Sequence, residues 1–203
     1  AMCYGPTSID NVYYAFDNDG SMLYGWHYLN GGLYYLLNDG KEKTGWIPYS
    51  GNMYYSSGNY MRTNSFYYIN NKYYYFNRNG VLETGFINIG ISTYYTNTSG
   101  AREIGLKTIN GKTYYFDTNG VMKYNTTVTL NDCIYGFNMD GVMLTGLQNI
   151  GNYLYYFNES NGTALKGWLN YKGKTYYFNS NGISQYGLIT VGTDKYYIDA
   201  DQN

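Results

Sequence analysis

Histidine and cysteine are nearly absent from this chain. His27 is the only histidine in 203 residues, so a Ser/His/Asp triad would have to use it, and a multi-histidine metal site is excluded. It follows Trp26 in a strand-like run, the setting of a packed or solvated histidine. Two cysteines, Cys3 and Cys133, define no disulfide framework, and no C-x-x-C or Cys/His cluster accompanies them. Charge is scarce as well. Thirteen basic and 14 acidic side chains leave a formal net charge of −1, which creates no long-range field for nucleic acid or anionic lipid. No apolar run approaches the roughly 18 residues of a membrane span, so neither nucleic acid nor bilayer insertion is expected. No export signal is visible and the chain opens inside its own repeat pattern, which reads as a C-terminal piece of a larger protein.

Tyrosine and glycine are what the sequence has in excess, at 31 and 26 residues, with aromatics at 21%. A modest aliphatic content would permit disorder, but disorder also needs high net charge and few aromatics. A folded chain is therefore expected, with tyrosine rings supplying much of the burial. Aromatic doublets recur at Tyr13-Tyr14, Tyr34-Tyr35, Tyr54-Tyr55, Tyr74-Tyr75, Tyr94-Tyr95, Tyr114-Tyr115, Tyr155-Tyr156, Tyr176-Tyr177 and Tyr196-Tyr197, with Ile134-Tyr135 in the remaining place. Behind each follows a turn such as Asp39-Gly40, Asn119-Gly120 or Asn181-Gly182. A third series runs Gly25, Gly45, Gly85, Gly105, Gly146, Gly167 and Gly187, and Asn64 and Asn125 stand near its two missing places. Glycine and asparagine tolerate positive φ best, so this position is expected to carry a left-handed backbone.

The period is 19 to 21 residues and ten units fill the chain, residues 1–203, as one repeat domain. Within a unit, Leu106–Ile109 and Thr113–Asp117 flank Asn110-Gly111, a strong short hairpin signal. A lone hairpin is marginal in water and cannot enclose a core, whereas stacked hairpins share one. The expected fold is all-β: a β-solenoid of about ten stacked β-hairpin repeats.

No catalytic set stands out from this periodicity. The pairs Asp17/Asp19 and Asp199/Asp201 fall at repeat turns, where aspartate bonds its own backbone, as at Asp39 and Asp140. Neither paired catalytic carboxylates nor a calcium loop is formed. The chain is read as no enzyme and as needing no cofactor.

The units resemble the cell-wall-binding repeat superfamily of Gram-positive secreted proteins, through Gly45-Trp46, the run Ile109-Asn110-Gly111-Lys112-Thr113-Tyr114-Tyr115-Phe116-Asp117-Thr118-Asn119-Gly120, and Gly167-Trp168 with Lys174-Thr175-Tyr176-Tyr177-Phe178. That superfamily includes choline-binding modules, glucan-binding repeats and the repeat domains of large clostridial toxins. The resemblance implies a secreted or cell-wall-associated location, in a Gram-positive bacterium or its phage. Two kinds of partner follow. The first reading is a non-catalytic carbohydrate-binding module that attaches a clostridium-like toxin or cell-wall protein to surface glycans, with Trp26, Trp46 and Trp168 as stacking platforms. The alternative is a choline-binding anchor of a lysin, docking on choline-decorated teichoic acid. In choline-binding modules a Trp after the Gly, an aromatic seven residues later and the next repeat's Trp surround the trimethylammonium group. Only Phe66, Tyr73 and Phe86 supply all three rings here, with Leu82 at the place of the apolar closing residue.

Overall fold

The computed structural model describes residues 4–58 and 60–199. Cys3 and Asp201 lie outside the described residues. The chain divides into two compact units, Ala1–Glu103 and Ile104–Asn203. The first contains five antiparallel hairpins: β1 (Gly5–Ile9) with β2 (Val12–Phe16), β3 (Gly25–Leu29) with β4 (Gly32–Leu36), β5 (Gly45–Tyr49) with β6 (Asn52–Ser56), β7 (Ser65–Ile69) with β8 (Lys72–Phe76), and β9 (Gly85–Ile89) with β10 (Ser92–Thr96). The second contains β11 (Gly105–Ile109) with β12 (Lys112–Phe116), β13 (Thr126–Leu130) with β14 (Cys133–Phe137), β15 (Gly146–Ile150) with β16 (Tyr153–Phe157), and β17 (Gly167–Tyr171) with β18 (Lys174–Phe178). The short β19 (Ser184–Gln185) adds to β18, and β20 (Gly187–Val191) pairs with β21 (Asp194–Ile198). All regular structure among the described residues is β, as the repeat pattern predicts.

Two kinds of left-handed residue build each repeat. Most hairpin tips carry positive φ at both central residues, as at Asn110 (φ 50) and Gly111 (φ 77), and the tips at Gly90, Gly151 and Gly192 carry it at the first alone; both forms match the right-handed twist of the strands they join. Asn64 (φ 52) and Asn125 (φ 47) are left-handed as expected, but they precede the ladder slot instead of filling it. Ser65 pairs with Phe76 and Thr126 with Phe137, as Gly105 pairs with Phe116. Where a residue with a side chain takes the slot, the left-handed step moves back by one residue, to an asparagine. A further signature closes each repeat. The carboxylate or amide oxygen of Asp17, Asn77, Asn97, Asp117 or Asn138 accepts two main-chain N–H groups of the following turn. This is the structural role expected of the turn aspartates, although Asp140 donates its main-chain N–H to the Asn138 side-chain oxygen instead of accepting through its own carboxylate.

Within each unit the core is a column formed by the last residues of most of its hairpins. Phe76, Phe116, Phe137, Phe157 and Phe178 are wholly buried, and Leu36 and Ile198 hold the same slot. Each buried phenylalanine contributes about 1.5–3 kcal/mol of hydrophobic stabilisation. Tyrosine carries less of the burial than its abundance suggests. Tyr34, Tyr155 and Tyr176 are buried, whereas Tyr24, Tyr28, Tyr68, Tyr186 and Tyr197 are exposed. The Ile134-Tyr135 pair is also shifted from its expected place: Tyr135 pairs with Val128, and Gly136 stands where the second tyrosine of a doublet belongs. A side chain at Gly136 would run into the Phe157 ring, which occupies that space.

Candidate functional site at the hairpin junctions

Successive hairpins are stitched by a repeated main-chain bond. The residue two or three places after most turn glycines donates its N–H to the hairpin before its own: Glu42 to Tyr13, Met61 to Leu33, Leu82 to Met53 and Arg102 to Tyr73, at 2.7–2.8 Å. Met143 to Thr113 and Ala164 to Ile134 repeat the bond in the second unit. The acceptors Leu33, Met53, Tyr73 and Thr113 stand seven places beyond Trp26, Trp46, Phe66 and Leu106. The donor's side chain is thus delivered to the junction between two hairpins.

At the Trp46 junction this geometry leaves a groove of about 550 Å³, lined by Trp46, Asn52, Met53, Tyr74, Leu82 and Thr84 among others. Trp46 is half-buried, its ring packed edgewise against Tyr55 (5.1 Å) and Tyr74 (4.9 Å). The walls are therefore an indole, a phenol, a thioether and a leucine. A ring face carries negative quadrupole and attracts a trimethylated cation, which has no N–H and so asks its walls for no hydrogen-bond acceptor. Equivalent grooves open beside Leu33 and Met61 (about 640 Å³) and beside Leu154 and Ser184 (about 490 Å³).

The residues singled out from the sequence fall into distinct settings. Trp46 lines the groove just described. Leu82 belongs to that same junction, bonded to Met53 and facing Trp46; its assignment to the Phe66/Tyr73/Phe86 trio is corrected, because the residue bonded to Tyr73 is Arg102. Phe66 packs on Tyr75 (5.2 Å) and Tyr94 (4.9 Å), and Phe86 packs on Tyr95 (5.0 Å). The Arg102 guanidinium lies over both Tyr73 (4.2 Å) and Phe66 (5.5 Å). Trp26 is enclosed by Tyr35, Tyr49 and Tyr54, with centroids 4.6–5.4 Å away and its indole nitrogen buried. Its ring is half-buried, as is that of Trp46. Trp168 stays 42% exposed while resting on Tyr177 and Tyr196, so one part of its ring faces solvent. His27 sits with Nε2 2.9 Å from the Tyr24 carbonyl, a local packing contact. The sequence reading missed Tyr74 as a wall and Arg102 altogether. Tyr74 belongs to a doublet whose rings alternate between faces, so only packing distinguishes wall from core.

The described residues thus form a series of hairpins with grooves, partly lined by aromatic rings, at several of the junctions. Choline-binding repeat models match residues 104–145 and 144–182, and the putative cell wall binding repeat matches 25–41 and 64–82. The matched segments are repeats of the choline-binding and cell-wall-binding kind. No curated protein sequence matches it. Among solved structures, CbpJ from Streptococcus pneumoniae TIGR4 aligns with a TM-score of 0.70 at 24% identity, over 98% of this chain and 92% of that one. Choline binding protein F from Streptococcus pneumoniae aligns with a TM-score of 0.67 at 23% identity, over 98% and 91%. CbpF in complex with ipratropium gives 0.68 at 25% identity, over 97% and 77%.

Proposed function

We propose that the chain is a non-catalytic attachment module whose junction grooves take the trimethylammonium group of choline on cell-wall teichoic acid. The observation that carries this reading is the Trp46–Met53–Tyr74–Leu82 groove. Its aromatic and thioether walls suit a cation that offers no N–H to a partner. A cation over an aromatic face gains about 0.5–1 kcal/mol when exposed and about 2 when desolvated. One groove with two rings is then a millimolar-range site after ordering costs. Several such grooves on one polymer gain roughly 10²–10⁴ in avidity if the polymer spans them. Within each unit, we read the hairpins as turns of a β-solenoid, supported by the main-chain bonds from one hairpin to the next. Residues 1–203 are assigned to one attachment domain, in a secreted or wall-associated protein of a Gram-positive bacterium or its phage.

A second reading, attachment to glycan, draws on Trp168, whose exposed ring could stack on a sugar face. Of the two, the matched repeats favour choline over glycan attachment of the clostridial-toxin kind. Titration with choline, read by intrinsic tryptophan fluorescence, tests the choice. A saturable response that Trp46→Ala removes, with the melting temperature retained, supports the choline site. A flat choline titration beside binding to wall polysaccharide would overturn it.

A further inference from the structure

We infer that Arg102 is an internal cation that fills the Phe66/Tyr73 aromatic box and holds that junction closed to quaternary ammonium ligands. The inference rests on the choline reading of the neighbouring groove and adds a residue that decides which junctions are open.

Three observations carry it. The first is register. Arg102 donates its N–H to the Tyr73 carbonyl at 2.8 Å, the bond that Leu82 makes to Met53 and Met61 makes to Leu33. Its main chain also bridges Thr96, as that of Leu82 bridges Phe76. Arg102 therefore stands where an apolar closing residue stands at the two preceding junctions, both of which are open grooves.

The second is the position of its charge. The guanidinium carbon lies 4.2 Å from the Tyr73 centroid and 5.5 Å from that of Phe66, inside the range over which a ring attracts a cation. A ligand ammonium would need these same two faces.

The third is the set of partners. Among the described residues the guanidinium forms no ion pair and no side-chain hydrogen bond, so its two rings are what hold it. Arginine is weakly hydrated and planar, which favours stacking on rings over a fully solvated position. Tethered through its own backbone, the guanidinium competes at an effective concentration in the millimolar range, comparable to the affinity of one aromatic box.

The test uses the full chain with Arg102→Leu and Arg102→Met, the residues found in this slot at Leu82 and Met61. The readout is the tyrosine ring spectrum in NMR during titration with choline chloride, with the Tyr73 signal assigned through Tyr73→Phe. Expected is a Tyr73 signal that stays unmoved in the wild type at choline concentrations beyond the millimolar range. In either Arg102 variant it should shift saturably, with at least tenfold gain in affinity at that box, and Arg102→Lys should keep it closed.

A wild-type Tyr73 signal that titrates with the same affinity as in the variants overturns the inference. So does a Tyr73 signal that stays unmoved in both variants while their melting curves remain cooperative. The wild-type titration reads the box without any variant, so the proposal stays exposed even if one substitution unfolds the chain. Failure of the wider choline reading is distinguishable. It shows as a silent Trp46 groove in the wild type, whatever Tyr73 does in the variants.

Discussion

The Ser56 hydroxyl donates a hydrogen bond to the Glu42 carboxylate inside the first unit. Ser56 occupies the column slot that Phe76 fills one repeat later, and Glu42 occupies the closing slot that Leu82 fills. Two polar residues from adjacent repeats thus replace two apolar ones. The pair is buried, and the second carboxylate oxygen of Glu42 is buried without a partner among the described residues.

Burial raises the Glu42 pKa above 4.5, with the Ser56 bond opposing only in part. A carboxyl raised in the folded state favours folding while protonated. Its contribution is fully present below about pH 4.5 and is lost as pH rises through the raised value. Glu42→Gln is therefore expected to raise the melting temperature at neutral pH, with the advantage shrinking towards zero in acid. Melting curves from acid to neutral pH check this. An advantage that grows in acid would show that Glu42 is charged and stabilised in place.

Replacing Asn64 or Asn125 by Val should cost about 1–3 kcal/mol, because a β-branched residue is strained at positive φ. Replacement by Gly should be nearly neutral. Urea denaturation of the four variants decides it; equal tolerance of Val and Gly would remove the left-handed step as the reason for asparagine.

Phe116→Ala should cost about 3–5 kcal/mol, since it empties a wholly buried slot of the column. Leu188→Ala, at a side chain 69% exposed, should change stability by less than about 0.5 kcal/mol. Comparable losses in the two variants would mean that the column is not the core.

Trp26 and Trp46 should separate stability from binding. Trp26→Ala removes a ring packed against three tyrosines and should lower the melting temperature. Trp46→Ala should instead lower choline affinity more than it lowers stability. The outcome that sinks the assignment is loss of both properties together in Trp46→Ala.

Much of this architecture is legible in sequence because it is local. A tip such as Asn110-Gly111, a turn closed by Asp117 and a left-handed residue at Asn64 each depend on neighbours a few positions away. The candidate site is legible only by half. Period alone cannot tell which junction a segment closes, since the stitch runs from the segment after one hairpin to the hairpin before it. Spacing alone pairs Leu82 with Tyr73, whereas Leu82 closes on Met53 and the residue bonded to Tyr73 is Arg102, whose guanidinium lies over that ring. The shift of the ladder slot to Ser65 is hidden for a related reason: one residue of displacement leaves the spacing within the observed range.

The backward stitch also sets an order of events during synthesis. The hairpin of Met53 is fastened only when Leu82 has left the ribosome, by which point the whole of the next hairpin has emerged. In a growing chain of this kind each hairpin gains its last main-chain bond only after its successor has formed.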